Sequence, residues 1–309
     1  MIELFARSKG MGEAVGLAER VSATDSNVLI TGESGVGKDV LAAFVHSRSA
    51  RAQYPFVKID CATLPGDLLE AELFGYERGA FTGASEAKPG RLEAANEGTV
   101  VLDEIAHLST DAQAKLLRVI QEREFERLGG RSTIKLNVRL IALSNVDLDE
   151  AVKRRGFRAD LYYRLNVIHI TVPPLREREA DLLQLVNHFI AQYASKHGRE
   201  VSGISKATLA MLQAYDFPGN ARELANIVER AVIVANGDRL EVEHLPPSLI
   251  AAAKVSRERA NPLSLAQVEA AYVADILAAT GGNKSECARI LGISRKNLYE
   301  KIARYKLDV

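Results

Sequence analysis

The feature that most constrains this chain is Gly32-Glu33-Ser34-Gly35-Val36-Gly37-Lys38, which follows the apolar run Val28-Leu29-Ile30 and opens onto a helical pattern. Strand, glycine-rich turn and helix in that order make a phosphate-binding loop. The glycines let backbone N–H groups converge on phosphate oxygens, and the helix N-terminus adds positive potential. Lys38 then reaches the β- and γ-phosphates of a nucleotide. Asp39 is a departure, because the common loop carries a Ser or Thr hydroxyl there for the magnesium ion. Residues Gly32 to Asp39 are therefore the expected nucleotide-binding set, with ATP and Mg2+ as the cofactors.

A second element supports the first. Thr99-Val100-Val101-Leu102 is an apolar strand ending in Asp103-Glu104. Ligands of α/β sheets bind at the C-terminal edge of their strands. Asp103 is placed to hold magnesium, directly or through water, and Glu104 to polarise the attacking water. A lysine and a metal clamping phosphate charge beside a positioned water is the usual economy of phosphoryl transfer. Further runs at Phe56–Ile59, Val138–Ala142 and Val167–Ile170 are continuous rather than alternating, with helical patterns such as Asp39–Ser47 and Asp111–Glu122 between them. Strands buried on both faces predict a mainly parallel sheet covered by helices, an α/β layout.

After Pro173-Pro174 the pattern becomes helical. Leu182, Leu185, Val186, Phe189, Ile190 and Tyr193 form one apolar stripe that stops near Gly198. A second helix is expected after Ser205, and a third from Asn220, read as an N-cap, to before Gly237. The weakly patterned stretch beyond Pro246-Pro247 reads as a linker. The expected domains are thus an α/β nucleotide-binding part at 1–172, a helical lid at 173–246, a linker at 247–264 and a C-terminal helical domain at 265–309.

That last domain carries the local charge. Lys plus Arg and Asp plus Glu balance at 40 each, so the whole chain does not announce a nucleic-acid partner. Between Asn283 and Lys306, however, seven basic residues stand against two acidic ones, leaving +5. Ala288, Ile290, Leu291 and Ile293 pack a first helix and a turn at Gly292. Ser294 caps a second helix that faces Leu298, Ile302 and Tyr305 inward. Helix, glycine turn and basic helix form a helix-turn-helix pattern. Cys61 and Cys287 stand far apart with no Cys or His cluster, which fits buried reduced thiols. No apolar run approaches the ~20 residues of a membrane helix, and Met1-Ile2-Glu3 does not begin a signal peptide, so a cytoplasmic protein without a membrane partner is expected.

On these motifs the chain resembles the AAA+ ATPase domain of sigma-54-dependent bacterial transcription activators, followed by a Fis-type helix-turn-helix. The resemblance runs from about Leu17 to Val309. Its most specific element is Gly79-Ala80-Phe81-Thr82-Gly83-Ala84, the GAFTGA loop, which in that family contacts sigma-54 and moves with the nucleotide state. Small residues, flanking glycines and a single aromatic suit a mobile tip that presents Phe81 and Thr82 to a partner. The resemblance also implies that Asn145, after Ser144, senses the γ-phosphate. It makes Arg158 and Arg164, in Phe157–Leu165, arginine fingers supplied to a neighbouring subunit. Arg222, in Pro218–Leu224, becomes the lid arginine that senses nucleotide. Phe217 replaces the usual Trp of that segment. Asp60, before Cys61, replaces the Asn that restrains the catalytic Glu. A carboxylate there cannot donate an amide proton to Glu104, and close approach of the two would raise one pKa. A switch working through a bridging water, proton or cation is therefore expected.

In the Fis-type end, Arg295, Lys296, Asn297 and Glu300 would face base edges, while Lys284, Arg289 and Lys301 suit phosphates. The implied protein is a P-loop AAA+ core with a helical lid and an all-α DNA-binding end. It would assemble as a homo-oligomer, a hexameric ring with dimers on palindromic DNA. Bound to double-stranded DNA at an upstream activating site, it would remodel sigma-54 RNA polymerase holoenzyme into an open promoter complex. Two other functions fit parts of the sequence: a DNA-binding regulator with a vestigial ATPase, acting by contact or occlusion, and a generic AAA+ remodeller. The residues before the first family match are too few for a receiver or ligand-sensing domain. That fits either a short activator controlled in trans or part of a longer chain.

Overall fold

The computed structural model describes residues 4–260 and 264–307. Residues 1–3, the end of the expected linker at 261–263, and the last two residues of the expected C-terminal domain lie outside the described residues. The chain divides into two compact units, 1–246 and 247–309.

In the first unit the five apolar runs all form strands of one parallel sheet, in the spatial order Phe56–Asp60, Thr99–Asp103, Arg139–Ser144, Val28–Thr31, Ile168–Thr171. The chain's first strand thus lies between its fourth and fifth, while the second and third extend the sheet on the far side. Each pair is in a plain parallel register, Val28 with Ile141 and Ile168, and Asp60 with Asp103. Val28, Leu29, Ile30, Val100, Val101 and Leu102 are all essentially inaccessible to solvent, as two-sided burial requires. One face packs against helices Lys9–Ser22 and Lys38–Ser47 through Ala18, Leu41 and Val45. The other packs against Thr110–Glu122 and Ala159–Leu165 through Leu116, Val119 and Leu161.

At the N-terminal edge of the sheet, Arg139 is 1% exposed. Its guanidinium caps the end of the first helix, donating to Val21 O at 2.8 Å and Ser22 O at 3.3 Å. Arg51 clamps Asp25 with two bonds of 3.0 Å and also donates to the Glu97 and Asn137 carbonyls. These buried cations serve the frame, at the end of the sheet away from Asp103.

Beyond the sheet come helices Glu179–His197, Lys206–Gln213 and Asn220–Val234. Gly198 ends the first in the left-handed conformation that favours glycine, at φ +61°. Ser205 caps the second. The Asn220 expectation is corrected: Gly219 holds the N-cap position, and the Asn220 side chain is spent on long-range bonds described below. The expected linker is also corrected, because Pro247–Ala260 is helical. Its weak apolar pattern concealed a helix rather than marking a loop.

Within the second unit, Leu265–Ala279, Lys284–Ile290 and Arg295–Tyr305 form a small three-helix cluster around Val273, Leu277, Cys287, Ala288 and Leu298. Gly292 makes the turn at φ +68°. Ile290, expected inside, is 47% exposed. Among the described residues no helix is long and apolar enough to cross a membrane.

Candidate functional site

The loop after the first strand has the backbone its glycines predict. Gly32, Gly35 and Gly37 all have positive φ, at 149°, 77° and 100°. At Gly35 a Cβ would come within 2.4 Å of Gly219 O and 3.0 Å of Arg222 Cβ, so glycine lets the lid seat on the loop. Arg222 completes that contact, its backbone N–H donating to Gly35 O at 3.3 Å and its guanidinium to Ser34 Oγ at 2.9 Å. Lys38 opens the following helix and is 7% exposed. Its ammonium donates to Gly32 O at 2.8 Å and Glu33 O at 3.1 Å, so it lies folded into its own loop. Burial lowers the Lys38 pKa, against the opposing pull of Glu104 and Asp103.

Arg176, Arg178, Asp181 and the Asn220 side chain, none of them given this role by the sequence reading, tie the loop, the lid and residues 5–8 together. The Arg176 guanidinium donates to both Glu33 carboxylate oxygens, at 2.9 and 2.6 Å. Asn220, fully buried, donates to Glu33 Oε2 and to Ser34 O at 3.0 Å each and accepts from Leu175 N–H at 2.8 Å. Arg178 and Asp181, 4% and 0% exposed, pair at 3.1 Å. Asp181 also accepts from Ser8 Oγ at 2.7 Å, while Arg178 donates to Phe5 O at 2.9 Å. Burial works against the Asp181 carboxylate, but its bonds to Ser8, Arg178 and Arg7 outweigh it and hold the pKa down. This buried pair pins the start of the chain against the loop. Between them lies an apolar cleft of about 170 Å³, lined by Phe5, Met11, Val36, Val40, Leu185 and Phe189. Leu185 and Phe189 belong to the stripe that sequence periodicity assigned to packing alone. Nothing local distinguishes the two uses.

The acidic edge also assembles. Asp103 ends its strand, and Glu104 follows at φ +53°, a left-handed conformation costly for a side chain of this size. That kink turns Glu104 towards the neighbouring strand, where its Oε2 accepts from the Asn145 backbone N–H at 3.3 Å. Asp60 lies in register with Asp103, but its Oδ1 accepts from Ala62 N–H at 2.9 Å within its own turn. Asp60 and Glu104 share no hydrogen bond among the described residues. Between the carboxylates stands Lys58, which sequence reasoning did not single out. Its ammonium lies 2.8 Å from Asp103 Oδ2 and 3.7 Å from Asp39 Oδ2.

Whether magnesium suits this edge depends on the donors. No group of three or more His, Cys, Asp or Glu among the described residues makes a self-sufficient metal cage. Magnesium at a nucleotide needs none, since it usually takes one or two carboxylates and completes its shell with phosphate and water. Asp103, with Asp39 beside it around a position already favourable to a cation, fits that requirement.

Arg158 and Arg164 stand apart from these groups. Arg158 caps helix Ala159–Leu165 and donates to both Asp160 oxygens, at 3.0 and 2.7 Å. Arg164 is exposed at the end of the same helix. Neither is hydrogen-bonded to a nucleotide-site residue among the described residues.

Gly79–Ala84 forms a tight loop closed by Gly79 N–H to Ala84 O at 2.9 Å, with Gly79 and Gly83 at φ +82° and +105°. Phe81 is 42% exposed and meets the Tyr76 ring edge-on at 4.9 Å; Thr82 is exposed beside it, and Ala80 and Ala84 turn inward. A hairpin missed in the sequence, Glu124–Glu126 with Thr133–Lys135, supports this loop. Leu128 at its tip exchanges backbone bonds with Gly75 and Glu77 at 3.0 Å. A Cβ on Gly129 would approach Ala80 Cβ to 2.9 Å. Each strand of the hairpin is only three residues long with one apolar position, Phe125 or Ile134, too short to give a periodic signal.

In the second unit Ser294 caps Arg295–Tyr305, its Oγ accepting from Asn297 N–H at 3.2 Å. Arg295, Lys296, Asn297 and Glu300 are exposed along the start of that helix. Lys284 lies over the Tyr299 ring at 5.4 Å, and Arg289 pairs with Glu286. Lys301 is held between helices instead, its ammonium 2.5 Å from Glu269 of Leu265–Ala279.

A phosphate-binding loop, an acidic strand end and a helical lid bonded to the loop define a P-loop nucleotide-binding protein of the AAA+ class. Residues 4–171 match the sigma-54 interaction domain, 176–262 the AAA+ ATPase lid domain, and 264–305 the Fis-family bacterial regulatory protein. The lid match covers the helix at Pro247–Ala260. The chain is 45% identical to regulatory protein AtoC of Escherichia coli (strain K12) over 298 residues, covering 94% of this chain and 64% of AtoC. It is 42% identical to transcriptional regulatory protein FlbD of Caulobacter vibrioides, covering 98% of this chain and 70% of FlbD. NtrX from Brucella abortus, crystallised in complex with ATP, superposes with a TM-score of 0.75 at 33% identity, covering 98% of this chain and 70% of NtrX. The chain belongs to the family of sigma-54-dependent transcriptional activators. It spans a little under two thirds of the length of AtoC.

Proposed function

We propose that this chain is an ATP-hydrolysing activator that binds upstream DNA in the bacterial cytoplasm and remodels sigma-54 RNA polymerase into an open promoter complex. One observation carries the reading. Lys38, Asp103 and Glu104 converge on one sheet edge, whereas among the described residues the finger arginines Arg158 and Arg164 make no hydrogen bond to it. A site complete except for its arginines is one that a second copy completes, which favours a ring, with a hexamer as the working form.

In this reading Lys38 leaves the Gly32 and Glu33 carbonyls for the β- and γ-phosphates, and the loop N–H groups carry the remaining charge. The apolar cleft beside Val36 takes the base, consistent with NtrX having been crystallised with ATP. Asp103, with Asp39 near it, would hold a magnesium ion, which supplies neutralisation of phosphate charge. Glu104 accepts hydrogen bonding from the attacking water. The Asn145 backbone, already bonded to Glu104, aligns that carboxylate, and the Asn145 amide faces the γ-phosphate. Arg158 exchanges Asp160 for a phosphate oxygen of the neighbouring subunit. Arg222 and the Glu33 latch report the nucleotide to the lid, and the Gly79–Ala84 loop presents Phe81 and Thr82 to sigma-54. Asp60, engaged in its own turn, acts on Glu104 only through an intermediary. Arg295, Lys296, Asn297 and Glu300 read base edges, with Lys284 and Arg289 on phosphates.

The test is steady-state ATP hydrolysis against protein concentration for wild type, Arg158→Ala and Glu104→Ala. The per-subunit rate should climb with concentration. It should fall by about 10²-fold or more for Glu104→Ala and roughly 10³-fold for Arg158→Ala. If no magnesium-dependent hydrolysis occurs at any concentration while specific DNA binding persists, the protein is instead a regulator with a vestigial ATPase.

A further inference from the structure

Lys58 has no part in the nucleotide chemistry above, yet its ammonium meets two carboxylates of that edge. It projects from the middle of the Phe56–Asp60 strand, two residues before Asp60 and on the same face of the sheet. Its ammonium donates to Asp103 Oδ2 at 2.8 Å and lies 3.7 Å from Asp39 Oδ2, joining carboxylates from two separate elements. Asp103 is largely enclosed at 18% exposed, whereas the Lys58 side chain is 40% exposed and has solvent into which it can withdraw.

The charge balance explains why a cation is needed. Asp39, Asp60, Asp103 and Glu104 bring four carboxylates to the edge, and Lys38 is folded into its loop.

We infer that Lys58 is a built-in counter-cation at the magnesium position, neutralising Asp39 and Asp103 when no metal is present and giving way when Asp103 takes one. The inference rests on Asp103 being the metal-holding residue. An ammonium and a dication directed at the same carboxylate oxygen repel each other, so Lys58 competes with the metal. It also makes metal-free nucleotide binding less costly, because its charge already offsets part of the carboxylate field. Both effects reduce the coupling between magnesium and nucleotide. By linkage that coupling is one quantity, readable from either ligand.

The measurement is the affinity of the full chain for ADP carrying a ribose fluorophore, once in EDTA and once in free Mg2+. The ratio of the two dissociation constants gives the coupling without any turnover. Lys58→Met should enlarge that ratio by at least about fivefold over wild type. Lys58→Arg, which keeps the charge, should stay within about twofold of it. Asp103→Asn should bring the ratio close to one. An unchanged ratio in Lys58→Met, with Asp103→Asn collapsing it, overturns the role of Lys58 and leaves the metal assignment standing. An unchanged ratio in Asp103→Asn removes the metal assignment and the inference together.

Discussion

Glu33 shows how a side chain's behaviour is set by partners remote in sequence. Hydrogen bonds from Arg176 and then Asn220 hold its carboxyl down at about 2, against an ordinary 4.5. A folded-state pKa below the unfolded one means that the carboxylate stabilises the fold above the unfolded value and loses that contribution as pH falls towards the folded value. The Tm gap between wild type and Glu33→Gln should therefore be widest above about pH 5 and narrow as acid is added. Because Glu33 and Arg176 are both 42% exposed, the gap should be small even at its widest. A gap that does not vary with pH would show that the latch adds no stability. Cys61 is a simpler case. Burial first, and then the charges of Asp60, Asp103 and Glu104, push its thiol up to about 12. It should resist alkylation in the native protein at neutral pH and react once denatured; native labelling of Cys61 would contradict its enclosure.

The Gly79–Ala84 loop is only as well placed as the hairpin beneath it. Gly129, at φ +70° against Ala80, tolerates no side chain without both backbone strain and a clash. Gly129→Val should leave nucleotide affinity within about twofold while weakening sigma-54 binding by roughly tenfold, or ~1.4 kcal/mol. Equal loss of both would mean that the substitution unfolds the core instead. In the second unit the basic residues divide by what already holds them. Lys284→Ala should lower the slope of log affinity for DNA against log salt by about 0.9. Lys301→Ala should instead lower the thermal stability of the three-helix unit, because Lys301 is bonded to Glu269 across two helices. A slope change for Lys301 equal to that for Lys284 would show that DNA draws it away from Glu269.

At the scale of the molecule, the continuous apolar runs and the two strand-end motifs determined the sheet, its parallel sense and the edge that carries the phosphate-binding loop, Asp103 and Glu104. Gly198, Ser205, Gly292 and Ser294 fixed helix ends because capping is a local matter of one hydroxyl or one left-handed residue. The helix at Pro247–Ala260 was not legible, since its few apolar positions make no stripe. The hairpin under the Gly79–Ala84 loop escaped because its three-residue strands are too short for their alternation to register. Within the site, Lys38, Asp103 and Glu104 were legible because phosphate and metal chemistry allow few residue types at such positions. Lys58, Arg176, Arg178, Asp181 and the Asn220 side chain were not. A lysine in a strand or an arginine after a proline pair has no local signature. The sequence by itself therefore determined which residues of a phosphate-binding loop and acidic strand end are present and on which elements they sit. Only the tertiary structure decided which charges meet, because strand order and lid packing bring Lys58 to Asp39 and Asp103, and Arg176 to Glu33, across stretches of chain that no short-range pattern spans.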